Sequence, residues 1–248
     1  MKTFHTFVLV NQNAGADVTP DVLTQIAAAV DHVLTHSFQG HWGGSFRCRA
    51  GDPTIGADEV AVQIQADSTV QGAAGFHDDG SVQVFRDGLP SLTSGAFALS
   101  VVVSHEIFET AGDPGANRWS DNGNGTEYAL ELCDAVEGFC YTPDIPAGQP
   151  GAGVSISDYL LPAFFDPGGT SPFSFQGNAT APMTTAPDNG ADYQITRTVD
   201  ENGAQQVTAI GNIHESAKKR KAHPSSRTSR RGVTAAPPSE PPTTPSLR

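Results

Sequence analysis

The sequence predicts an α+β fold in which a mixed β-sheet packs on one buried helix, followed by a loop-rich second half. Three observations carry this. Val60, Val62 and Ile64 alternate with polar residues at the period of a half-buried strand; Val22, Leu23, Ile26, Val30, Val33 and Leu34 recur at helical spacing; and no charged residue occurs between Asp87 and His105, a stretch holding Phe97, Leu99, Val101, Val102 and Val103.

In chain order, residues 4–10 read as a first strand. Thr19 supplies a cap and Pro20 a first-turn proline for the helix that follows. Residues 45–50 form a short strand and residues 59–66 a longer one. Residues 73–77 pair with a strand at Val82 and Val84 across the turn signal Asp78-Asp79-Gly80. A helix apolar almost all round comes next, with Ser91, Thr93 or Ser94 as its cap and Gly112, Asp113 and Pro114 as its stop. A strand, a helix, further strands and a buried helix make an α+β layer. Beyond Gly112 the chain is rich in Gly, Pro, Asn and Asp, with ordered segments expected near residues 127–136 and 154–165.

Composition breaks near residue 215. Residues 215–248 hold eight Lys or Arg against Glu215 and Glu240, a net of +6, which leaves −19 on the rest of a chain whose total is −13. The predicted organisation is a globular domain over residues 1–214 and a disordered, basic, Pro- and Ser-rich tail over 215–248, whose partner the sequence does not name. The acidic body argues against nucleic-acid binding by the core and suits a protein that holds cations. The first ten residues lack the apolar run and small-residue cleavage site of a leader, and no segment reads as a membrane span, so the expected location is cytoplasmic. Cys48, Cys133 and Cys140 do not make an even disulfide framework and are expected to be free thiols. There is no Gly-rich phosphate loop and no G-x-S-x-G elbow, and Cys133 has no adjacent base, which sets aside phosphate-cradling and Ser or Cys nucleophile chemistry.

The chemistry-bearing segment is Ser104-His105-Glu106-Ile107-Phe108-Glu109. On a helix, His105 and Glu109 share one face at i and i+4, and Glu106 stands beside them, so a metal ion and a proton-transfer group can be held together. Burying three ionisable groups at the end of an apolar helix calls for a metal, a proton or a salt-bridge partner. His32 and His36 also stand i, i+4, but polar positions on a helix flank explain them. Asp121 to Gly125 lacks the alternating acids of a calcium loop and reads as a turn.

The HExxE segment, with Gly75-Phe76-His77-Asp78, Asp113-Pro114, Glu131-Leu132-Cys133-Asp134 and Ser157-Asp158-Tyr159, resembles the zincin metallopeptidases. It looks closest to uncharacterised bacterial and phage-associated zincin-like proteins with an HExxE helix. The resemblance spans about residues 20 to 166. It implies a zincin-like fold, His105 and Glu109 as metal ligands, Glu106 as the catalytic general base, and a peptide or protein substrate aligned by the 75–78 strand, where His77 could orient it. It puts a third ligand downstream, at Glu131, with Asp113 and Asp134 as alternative ligands or as residues that orient His105. Zinc is the implied cofactor, but two carboxylates beside one histidine offset a dication's charge and admit manganese, iron or calcium. The expected function is a metal-dependent hydrolase of the metallopeptidase kind. The alternative is a non-catalytic zincin-like structural or interaction module, of phage origin or virion-associated.

Overall fold

The structure is a computed structural model. It describes residues 6–52, 56–68, 73–78, 81–121, 123, 125–180, 192–199 and 205–211. The basic tail and the Asp79-Gly80 turn lie outside the described residues.

Strand β1 (Thr6–Asn11) leads into helix α1 (Pro20–Val33), where Thr19 Oγ1 accepts from the backbone N–H of Val22 and Pro20 occupies the first turn, as expected. The helix runs on without a break through a π turn (Leu34–Phe38) into the short α2 (Gln39–Trp42). A π turn leaves carbonyls without their usual i+4 donors, and here Thr35 Oγ1 donates to Asp31 O and Ser37 Oγ to Val33 O. The turn carries Phe38 inward onto the later helix, and it also bears His36, whose ring stacks on His32 with centroids 4.2 Å apart.

Strands β2 (Arg47–Ala50), β3 (Glu59–Gln65), β4 (Gly75–Asp78) and β5 (Ser81–Phe85) complete a five-stranded sheet of order β2-β1-β3-β5-β4. All neighbours are parallel except β4, which pairs antiparallel with β5 at the sheet edge, Gly75 facing Val84 and His77 facing Val82. Register puts Phe7 beside Val60, Leu9 beside Val62, Val62 beside Val82 and Ile64 beside Val84, so one sheet face is continuously apolar. Gln63, Gln65 and Gln83 point the other way and are only partly buried.

Both long helices cover the apolar face. Leu23, Ile26, Val30 and Val33 of α1 and Leu99, Val103, Ile107 and Phe108 of α3 (Leu99–Gly112) join the same buried cluster, and Phe38 stacks on Phe108 with centroids 5.3 Å apart. Of the fourteen residues of α3, all but Val102 are buried, so this helix is central. Its start differs from expectation. The cap residue is Ala98 and no hydroxyl caps the helix; instead the N–H groups of Leu99 and Ser100 donate to the carbonyls of Ser91 and Leu92, where residues 91 and 98 bridge as strands do. A buried helix end has its first donors met by backbone here, and Ser91 Oγ accepts the N–H of Ser94 instead.

After Gly112 come β6 (Trp119–Asp121), β7 (Thr126–Ala129), a 3₁₀ turn (Asp134–Val136), β8 (Cys140–Tyr141), β9 (Ile156–Ser157), a second 3₁₀ turn (Pro162–Phe165), β10 (Tyr193–Val199) and β11 (Gln205–Gly211). A second, antiparallel sheet has the order β11-β10-β7-β6, and β8 pairs with β9. The α+β class holds. Among the described residues no helix is long and apolar enough to cross a membrane, and Cys48, Cys133 and Cys140 are free.

Candidate metal centre

Helix α3 is fixed in register by the serines on its buried side. Ser104 Oγ accepts the N–H of Ser157 at 2.8 Å and Ser100 Oγ donates to Ser155 O at 2.6 Å, which ties the helix to β9 one residue before His105. At its far end Gly112 allows the chain to close. A Cβ there would lie 2.4 Å from Leu132 Cδ1 and 2.9 Å from its Cγ, so glycine lets the Leu132 side chain pack on the helix end as it stands.

That approach brings two acids to the HExxE face. Strand β7 ends at Ala129, and the chain turns through Glu131 and Cys133 into the 3₁₀ turn that begins at Asp134. The Cys133 N–H donates to Glu109 Oε1 at 3.3 Å, and Leu132 O accepts from Leu160 N at 2.7 Å, so the turn is held at both sides. From the opposite side comes β4, whose His77 side chain is 4% exposed although the residue as a whole is not buried. What water reaches at His77 is therefore main chain, on the last strand of the sheet order among the described residues.

His105 Nε2 lies 3.4 Å from Asp134 Oδ1 and 3.5 Å from Glu109 Oε1, and no hydrogen bond satisfies it. His77 Nδ1 lies 3.2 Å from Glu106 Oε2 and 3.4 Å from Glu109 Oε2. Two sets of donor atoms result, each gathered within 4.8 Å: His105, Glu109 and Asp134, all buried, and His77, Glu109 and Glu131. Glu109 belongs to both. Of the sequence-predicted residues, His105, Glu106, Glu109, Glu131, Asp134 and His77 converge. Asp113 does not join either set; it is buried just past the helix end, where its Oδ2 accepts the N–H of Arg118 at 2.7 Å. His32 and His36 belong to no such set among the described residues.

Electrostatics follow from burial. Desolvation disfavours a charged imidazole at His105, but Glu109, Asp134 and Glu106 outweigh it and hold its pKa well above the ordinary histidine range. Burial, with Glu109 adding to it, pushes the Cys133 thiol up. Tyr159 packs against Phe38, Phe108 and Phe175.

These donor sets could hold a divalent cation: imidazole and carboxylate donors that are largely buried suit a transition-metal dication, whose charge would offset carboxylates otherwise costly to bury. Sequence reasoning missed three supports: the Cys133 N–H that orients Glu109, the Ser104 tie to β9, and the closeness of Gly75, where a Cβ would come within 2.8 Å of Glu106 Oε1.

No family model matches the chain, and neither a curated protein nor a solved structure does.

Proposed function

We propose that the protein is a zincin-like, metal-dependent hydrolase of peptide bonds, with His105, Glu109 and Asp134 holding a divalent ion, zinc being the expected one, and Glu106 as general base. The observation that carries this reading is the buried convergence of His105 Nε2 with one oxygen each from Glu109 and Asp134, with Glu106 next along the same helix. Glu131 stands against His77 and Glu109 and so is less directly aimed at His105 than Asp134.

An ion bound there would supply Lewis acidity, polarising a scissile carbonyl and lowering the pKa of water. Glu106 accepts the proton from the attacking water and returns it to the leaving amine. His77, 3.2 Å from Glu106 Oε2, steadies that carboxylate. Strand β4 stands last in the sheet order among the described residues and runs beside Glu106, and in this reading the substrate peptide lies extended along it. Gly75 leaves the room that Glu106 occupies.

The test is Glu106→Gln in the full chain, assayed on a denatured protein substrate with metal content measured alongside. Hydrolysis should fall by about 10²–10⁴-fold with the metal retained. An unchanged rate overturns the assignment.

One observation favours a second reading, a metal-stapled module without catalysis: the acids come from both halves of the chain, α3 on one side and the 131–134 turn on the other. In that case chelation lowers thermal stability while no substrate is cleaved.

A further inference from the structure

The two oxygens of Glu109 are divided between two histidines. Oε1 lies 3.5 Å from His105 Nε2, and Oε2 lies 3.4 Å from His77 Nδ1. Each histidine is backed by a different acid from the same turn, Asp134 with His105 and Glu131 with His77, and each trio gathers its donor atoms within 4.8 Å. A carboxylate whose two oxygens face two separate imidazole and carboxylate pairs has the arrangement of a bridging ligand. His105 Nε2 is a buried donor atom aimed into this space with no hydrogen bond of its own.

Charge points the same way. Glu106, Glu109, Glu131 and Asp134 are all at least nine-tenths buried. Ionised, they carry −4; one dication leaves −2 for imidazolium protons to meet, whereas two dications meet it in full. Carboxylate-rich sites with one histidine per ion also favour ions that accept oxygen donors, manganese, iron and zinc among them.

We infer that the centre holds two divalent ions bridged by Glu109, one on His105 and Asp134 and the other on His77 and Glu131. This rests on the reading of the site as a metal centre and extends it from one ion to two, His77 Nδ1 exchanging its 3.2 Å contact with Glu106 Oε2 for the second ion. Paired ions about 3.5–4 Å apart can brace both the attacking and the leaving atoms of a hydrolytic displacement.

The experiment is titration of the metal-stripped full-length protein with Mn(II), followed by electron paramagnetic resonance. Two equivalents should bind before free Mn(II) appears, giving the multiline spectrum of a spin-coupled pair. Glu131→Gln, close in size to the native residue, should bind one equivalent with an uncoupled spectrum, and Asp134→Asn likewise. Two uncoupled equivalents, or one equivalent that Glu131→Gln retains, overturn the two-ion centre and leave the single-ion hydrolase standing. No bound Mn(II), together with no zinc taken up on adding it, overturns both readings. The wild-type spectrum decides the matter even if a variant fails to fold.

Discussion

Gly75 on β4 and Glu106 on α3 are packed so closely that a Cβ at position 75 would sit 2.8 Å from Glu106 Oε1 and 2.9 Å from its Cγ. Gly75 has no positive φ, so its backbone would accept alanine, and the side chain alone is excluded. Glu106 is 1% exposed and has no solvent to retreat into. Gly75→Ala should therefore displace the proposed base, reducing peptide hydrolysis by about 100-fold at a stability cost of about 1–3 kcal/mol. Steady-state kinetics with a thermal melt measure both, and a variant with wild-type kcat argues that Glu106 does not do the chemistry.

Asp113 and Asp134 look interchangeable as downstream acids in the sequence, yet they sit in different surroundings. Asp113 accepts the Arg118 N–H beyond the helix end, in a turn that Arg118 closes again by donating to Gly112 O at 2.9 Å. Asp113→Ala should lower stability by about 1–3 kcal/mol by leaving that N–H without its acceptor, and leave the bound metal in place. Asp134→Asn should weaken metal binding, and by removing a charge beside His105 it should also lower the melt of the metal-free protein. Metal titration of the two variants separates the roles, and metal loss in Asp113→Ala at an unchanged melt would reverse the assignment.

The first sheet and the motif helix were legible because their signals are local. Val60, Val62 and Ile64 alternate, Thr19 and Pro20 announce α1, and Gly112 ends α3 where expected. The second sheet was not legible, because β10 buries polar residues. Gln194, Thr196 and Arg197 are buried there, Arg197 paired with Glu127 and lying 4.5 Å over the Trp119 ring, so its strand does not read as an apolar alternation. The choice among Glu131, Asp134 and Asp113 was hidden for a related reason. A regular helix or strand over residues 127–134 would fix which acids share a face, but the chain leaves β7 and enters a 3₁₀ turn, so both Glu131 and Asp134 reach Glu109. That is decided by the tertiary approach of residues 131–134 to the helix end, where Leu132 packs on Gly112.

If His105 ligates the proposed ion, metal and proton compete for its imidazole, which gives the centre a pH dependence of definite sign. In the metal-free fold desolvation works against the charge on His105, but Glu109, Asp134 and Glu106 prevail and raise its pKa well above 6.5. A raised folded pKa means that the proton adds stability in full below about pH 6.5, and that this contribution is lost as pH rises through the folded value. An ion at His105 needs the neutral imidazole, so binding expels the proton and strengthens with pH, by up to about tenfold per unit for one proton released. The metal-free protein thus gains from acid while the loaded protein gains from base. The difference in melting temperature between metal-loaded and chelated protein should therefore widen steadily from pH 6 to pH 8, and calorimetry at saturating metal in buffers of different ionisation enthalpy should register proton release. A gap that stays constant across that range, with no proton released, removes His105 from the ligand set; a gap that widens in wild type and not in His105→Gln assigns the competing proton to this imidazole.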